Sequence, residues 1–274
     1  MRVKLSLFFL AAVLIALLAV KTVAGSHHQA LKAAVAETST LQPVVLELFT
    51  SEGCSSCPPA DAFLKRLDDA GQLDNAEIIA IEEHVDYWDS LGWRDPFSSH
   101  QWTARQEKYA RSLGRDGIYT PQLVVNGRSE VVGSSAREAR QDIVEASKIP
   151  SASVRLSTVE VSAKSAEFSI NIANAPAEAR SAQLLMAVTE RGLSSNVSRG
   201  ENEGRTLSHA PVLRSLTVVP FPAANSSGKT ETKATVVLDP SWRRENLRFV
   251  VFLQASDTLH VLGAAAATAA ALSR

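Results

Sequence analysis

Residues 44–67 read VVLELFTSEGCSSCPPADAFLKRL, and the fold turns on this stretch. Val44 to Phe49 is an apolar run of strand length, and Thr50-Ser51-Glu52-Gly53 follows as a loop. Cys54 and Cys57, the only two cysteines of the chain, come next. Ala60, Phe63, Leu64 and Leu67 then recur at helical spacing, Pro58 suits a first helical turn, and Gly71 marks the stop. A Cys-x-x-Cys pair at a strand-to-helix junction places both sulfurs at a helix N-terminus. Unpaired N–H groups and the helix dipole there favour thiolate over thiol.

Downstream, Glu77 to His84 is a short buried strand carrying Ile78, Ile79 and Ile81. Residues 44–84 thus form a strand–helix–strand unit, expected to make a right-handed parallel crossover. Residues 85–117 are rich in aromatic and loop-forming residues and read as an insertion, helical from Ser98 to Leu113. Gln122 to Val125 is a strand, Asn126-Gly127 a hairpin turn, and Val131-Val132 the return. Ser135 and Glu138 have capping-box spacing before a helix with Ala136, Ala139, Ile143 and Ala146 on one face. The order β-α-β, insertion, β-β-α predicts a thioredoxin-like domain over 42–150. After Pro150 the hydrophobic period becomes two, with seven strand candidates between Val154 and Leu262. These predict an antiparallel β-sandwich-like domain over 151–264, followed by an alanine-rich tail, 265–274, that frays or adds a short helix.

Of the 274 residues 45% are apolar and 21% charged, as in a folded soluble protein, and the net charge of −1 argues against nucleic acid as a partner. Two cysteines are too few for a disulfide framework. The N-terminus has the form of an export signal. Arg2 and Lys4 precede an uncharged apolar run, Leu5 to Val20, and small residues allow cleavage after Gly25 or after Ala36. The expectation is a bacterial periplasmic or secreted protein, with residues 26–41 a polar lead-in. Membrane attachment follows only if this segment stays uncleaved.

The thiol pair supports several chemistries. In thiol–disulfide exchange Cys54, nearer the exposed end of the turn, attacks, and Cys57 resolves the mixed disulfide. The partners would be protein or small-molecule thiols and disulfides, or a redox partner protein. No cofactor beyond the Cys54–Cys57 disulfide is needed. A structural disulfide and a copper or zinc site on Cys54, Cys57 and His84 remain open. In a thioredoxin-like fold a cis-proline precedes the hairpin strand beside the Cys-x-x-Cys. Pro121 stands at that place, with the Thr120 backbone available to a substrate strand. Auxiliary candidates are Glu52, whose charge opposes a nearby thiolate, and Asp61, one helical turn after Cys57. Asp61 either accepts a proton or complements the helix dipole. His84, Asp86 and Trp88 follow the second strand at the sheet edge where α/β sites gather.

These residues resemble a known family, the exported bacterial proteins classed as domain of unknown function 1223 within the thioredoxin-like superfamily. The likeness rests on Val45 to Asp61, His84-Val85-Asp86-Tyr87-Trp88, Gly92-Trp93-x-Asp95-Pro96-Phe97, and Tyr119-Thr120-Pro121-Gln122 followed by Asn126-Gly127. It spans almost the whole chain after the leader and implies a thioredoxin-like domain with an all-β C-terminal portion. Ser55-Ser56 replaces the Gly-Pro pair typical of thioredoxins.

Overall fold

A computed structural model describes residues 41–162, 164–220 and 229–268. The leader, residues 26–40 of the lead-in and residues 269–274 of the tail lie outside the described residues. From Leu41 onward the chain forms one compact unit. Its first part contains β1 (Gln42–Thr50), α1 (Pro58–Ala70), β2 (Gln72–Leu73), β3 (Ala76–His84), α2 (His100–Ser112), β4 (Gln122–Val125), β5 (Ser129–Val132) and α3 (Ala136–Ala146). β1 pairs with β3 in parallel and with β4 antiparallel, and β4 pairs with β5. The Asn126-Gly127 turn takes positive φ at both residues, 48° and 64°, as a type I′ hairpin requires. A Cβ on Gly127 would stand 2.0 Å from the Leu259 carbonyl oxygen, so only glycine fits.

The second part contains β6 (Ser153–Val161), β7 (Ser165–Ala173), β8 (Ala182–Glu190), β9 (Ser194–Asn196), β10 (Thr206–Ser208), β11 (Val212–Val219), β12 (Thr230–Val237), β13 (Leu247–Ala255) and β14 (Val261–Thr268). These strands do not make the self-contained sandwich domain expected of them. β11 lies beside β3, so one mixed sheet runs β14-β13-β8-β11-β3-β1-β4-β5, while β6, β7 and β12 form a separate antiparallel sheet and β9 pairs with β10 in a small hairpin sheet. The join is narrow. Val212 stands opposite Glu82, whose N–H donates to the Pro211 carbonyl at 2.9 Å. It gives a partner to the edge of β3 that β1 leaves open.

Alternation along each strand builds three cores. On one face of β1 and β3, Val44, Leu46, Leu48, Ile78 and Ala80 pack under Phe63, Leu64 and Leu67 of α1 and Ile143 of α3. On the other face, Val45, Ile79 and Ile81 meet Trp102 of α2 and Leu185, Ala187, Val250 and Phe252 of β8 and β13. The far side of β8 and β13 packs Leu184, Met186, Phe249 and Val251 against Phe168, Ile170 and Ala234 of the small sheet. The sandwich is therefore present as packing, but one of its two sheets also belongs to the first part of the chain.

Two local expectations fail. As far as Thr268, the last described residue, the alanine-rich tail is strand, neither frayed nor helical. Ala264 to Ala267 pair with Phe252 to Phe249 of β13, so tertiary pairing overrides the helical propensity of alanine. Ser135 precedes α3 without a side-chain capping bond.

Buried polar links also cross between the two parts. Arg105 of α2 bonds Glu47 at 2.5 Å and Gln254 at 3.3 Å. Asp68 of α1 accepts from Arg191 at 2.7 Å and from Arg248 at 3.1 Å. A fragment ending at residue 150 would expose Val45, Ile79, Ile81 and Trp102, leave the buried Asp68 without Arg191 and Arg248, and take Gln254 from Arg105. Residues 42–150 alone are therefore expected to show no cooperative thermal transition by circular dichroism. A fragment that melts cooperatively would contradict the shared core.

Candidate functional site

Cys54 and Cys57 form a disulfide between β1 and α1. The local backbone is wound tightly, with Cys54 N–H donating to Ser51 O at 3.1 Å and Cys57 N–H to Cys54 O at 3.2 Å. The expected supply of free helical N–H groups is largely missing. Pro58 and Pro59 carry none, and the N–H groups of Ala60 and Asp61 both donate to Cys57 O. The group recorded against the Cys54 sulfur is instead the Ser56 hydroxyl, Oγ to Sγ 3.3 Å.

The expectation that Cys54 stands exposed also fails. Both cysteines are 0% exposed, while Ser55 and Ser56 face solvent. The cover comes from the segment between β9 and β10. Asn202, itself buried, donates its amide to the carbonyls of Glu52 at 2.8 Å and Cys54 at 3.0 Å. The Glu201 carboxylate accepts from Ser55 N–H at 3.1 Å.

The Thr120–Pro121 peptide bond is cis. Two contacts tie its loop to the cysteine loop. Trp88 Nε1 donates to Thr120 Oγ1 at 2.9 Å, and the Trp88 Cβ stands 3.0 Å from where a Cβ on Gly53 would be. A Cβ on Gly133 would meet Ala60 Cβ at 3.0 Å and Pro121 Cβ at 3.3 Å, so the proline and the first turn of α1 both pack against Gly133. Trp88, Thr120 and Pro121 are thus brought to the disulfide.

Behind the loop runs a buried chain of carboxylates and imidazoles. Glu82 and His84 share the β3 face that α1 covers. His84 Nδ1 lies 2.6 Å from Asp95 Oδ2, and His84 Nε2 lies 3.0 Å from Glu82 Oε1. The same Glu82 oxygen is 2.9 Å from His209 Nδ1, and His209 Nε2 is 2.9 Å from Glu52 Oε1. Glu52 Oε2 accepts from Trp93 Nε1 at 2.8 Å, and Asp95 Oδ2 also accepts from Glu52 N–H at 2.8 Å. Glu52 is therefore committed to His209 and Trp93. The expected repulsion of a Cys54 thiolate by a free Glu52 charge is offset by this pairing.

Burial acts against every charge here, and the partners outweigh it at four positions. The charge and hydrogen bond of Asp95 hold His84 well above the ordinary imidazole range. Against burial, the hydrogen bonds that His209 donates to Glu52 and Glu82 lift it to about 9. The two imidazoles bring Glu82 down to about 2, and His84 lowers Asp95. Asp61 goes the other way. Burial and then the Glu82 charge push it up to about 8, with only a partial offset from the Thr50 hydroxyl that donates to it at 2.6 Å. Near neutral pH it holds a proton, so it does not serve as an anion for the helix dipole.

Two candidate assignments do not assemble. The two sulfurs are joined to each other, and the His84 ring nitrogens face Asp95 and Glu82 rather than the sulfurs, so Cys54, Cys57 and His84 are not brought together as three donors. Asp86 accepts from Thr103 Oγ1 at 2.6 Å and lies 3.4 Å from His100, which fixes the start of α2 rather than the thiols. Conversely, Asn202, Glu201 and His209 carry no local signal in the sequence. Asp95 is legible there only as part of the Gly92-to-Phe97 segment.

Comparison with known proteins gives a family and a fold. A family described as protein of unknown function (DUF1223) matches residues 45–254. The X-ray structure of a protein from Agrobacterium tumefaciens, structural-genomics target AtR35, is 28% identical and superposes with a TM-score of 0.61 over 84% of this chain and 95% of that one. HBP35 of Porphyromonas gingivalis is 13% identical, with a TM-score of 0.57 over 83% of this chain and 75% of that one, a likeness of fold alone. Among curated proteins no relative matches. The match over residues 45–254, with the residues that build the disulfide loop inside it, shows that the chain belongs to the DUF1223 family.

Proposed function

We propose that the chain is an exported thiol–disulfide oxidoreductase that exchanges its Cys54–Cys57 bridge with protein or small-molecule disulfides in the bacterial periplasm or outside the cell. The observation that carries this reading is the disulfide at the β1–α1 junction, joined through Trp88 to a cis Thr120–Pro121 loop in a thioredoxin-like arrangement. Export is supported by the leader sequence, Arg2 to Val20. The edge strand β5 and a cleft lined by Tyr119, Glu130, Val131 and Val132 lie beside the proline, as an extended substrate segment would need.

In the reducing direction, a redox partner's thiols first reduce the bridge. The Cys54 thiolate then attacks one sulfur of the substrate disulfide, and the other sulfur leaves as a thiolate that takes up a proton. Cys57 gives its proton to the Asp61 carboxylate and attacks the Cys54 sulfur. The bridge re-forms, and the second substrate sulfur is released. The oxidising direction is the reverse. Asp61 suits its role by place and by proton affinity. It lies one turn after Cys57 on the same helix face, both residues are buried, and a group near 8 exchanges its proton close to neutral pH. Access requires the Glu201-Asn202 cover to withdraw.

The burial of both cysteines favours a second reading, a structural bridge in a binding module. Equilibration of the full chain with glutathione buffers separates the two. A catalyst is expected between about −120 and −270 mV, and a structural bridge lies below about −300 mV. The role of Asp61 has its own signature. Only the ionised carboxylate accepts the Cys57 proton, so resolution speeds up as pH rises through about 8. In Asp61→Asn stopped-flow kinetics should show resolution slowed by roughly a hundredfold, with the step near that pH absent. An unchanged profile would remove Asp61 from the mechanism.

A further inference from the structure

The buried chain behind the disulfide loop holds more than ion pairs. Glu82 Oε1, His84 Nε2 and His209 Nδ1 converge on one point, with the oxygen 3.0 Å and 2.9 Å from the two nitrogens. Any two of these three donors lie within 4.8 Å, and all three residues are buried. The rings stand 4.9 Å apart, inclined at 75°, so their nitrogens approach the oxygen from different directions. Each ring is held from behind by a second carboxylate, His84 by Asp95 at 2.6 Å and His209 by Glu52 at 2.9 Å. The second oxygen of Glu82 accepts from Ala210 N–H, which fixes the plane of the carboxylate.

We propose that Glu82, His84 and His209 form a site for a divalent transition metal of the zinc class, with Asp95 and Glu52 orienting the two imidazoles. One carboxylate oxygen and two imidazole nitrogens are a donor set that zinc takes in four-coordinate sites with one position left for another ligand. Hard dications such as magnesium and calcium prefer oxygen donors throughout. A carboxylate behind each ligating imidazole is the outer shell that metal-bound histidines characteristically carry, because it fixes the ring and makes its inner nitrogen a better donor. Three carboxylates surround two imidazoles here, so a dication can replace the two imidazolium protons without changing the net charge of the cluster. Bonds of about 2.0–2.1 Å at tetrahedral angles put donors about 3.3 Å apart. The Glu82 oxygen therefore needs to draw away from each nitrogen by only a few tenths of an ångström.

The site takes nothing from the cysteines and stands whether or not they are redox-active. Its connection to them is mechanical. Glu52, the outer partner of His209, is two residues before Cys54, so metal occupancy would stiffen the disulfide loop.

The test uses the full chain carrying Cys54→Ser and Cys57→Ser, so that thiolates cannot bind metal. After chelator treatment and addition of zinc, the expected result is one zinc per chain retained through gel filtration. Addition of cobalt(II) should give visible ligand-field bands of a four- or five-coordinate site. His84→Gln and His209→Gln should each weaken zinc binding at least about a hundredfold by competition titration, and Asp95→Asn about tenfold or more. Circular dichroism checks that each variant is folded. The cobalt spectrum of the chain with all three ligands intact gives an answer even if a variant is not. Absence of both retained zinc and cobalt bands would overturn the site, as would stoichiometric zinc binding that survives both histidine substitutions.

Discussion

Glu52, His209, Glu82, His84 and Asp95 are all buried, and each owes its tolerable free energy to the next. An ionised carboxylate without a partner in such a place costs several kcal/mol. Removing one member would strand its neighbours. The chain ties together four segments that are far apart in sequence: the disulfide loop, the end of β3, the 89–98 segment and the stretch between β10 and β11. It explains why the two parts of the molecule share one sheet. β11 begins at Val212, three residues after His209, and meets β3 opposite Glu82. The narrow sheet join and the buried charge chain thus hold the same place.

For the thiols, the consequence is an environment shaped by the second half of the chain. A thioredoxin-like frame alone would present Cys54 to solvent at a helix N-terminus. Here two prolines remove backbone donors, Ser56 supplies a hydroxyl, and Asn202 and Glu201 hold the loop's backbone from outside. Glu52 faces His209 and Trp93 instead of the sulfur. Asp61 retains a proton at neutral pH beside the helix turn that carries Cys57. On the proposed reading, exchange in such a site would be gated by this cover and served by a buried acid.

The first half of the fold was legible in the sequence because its signals are local. The apolar run at Val44, the 3.6-residue spacing after Cys57, the Asn126-Gly127 turn and the position of Pro121 each depend on neighbours a few residues away. Strands β6 and β7 were legible from their period of two, and β8, β11 and β13 as apolar runs of strand length, but the partners of these three were not. Nothing in Val212 to Val219 states that its first residue will lie beside Glu82. β14 was legible only at its start, as the strand candidate ending at Leu262, because the run of alanines that continues it lacks the alternation that marks a strand. β9 and β10 are three residues each, too short for any period. The site divides the same way. Cys54, Cys57, Thr120, Pro121 and Trp88 stand in short motifs, whereas His209 reaches Glu82 and Glu52 across 127 and 157 positions.

Attack at Cys54 by an outside thiol, in the folded state, is the event on which the proposed chemistry rests. Incubation of Cys57→Ser and Cys54→Ser chains with oxidised glutathione, read by intact-protein mass spectrometry under native conditions, measures it directly. A glutathione adduct should form readily on Cys57→Ser and far more slowly on Cys54→Ser. If neither variant takes up glutathione until denaturant is added, the bridge is sealed inside the fold and its role is structural.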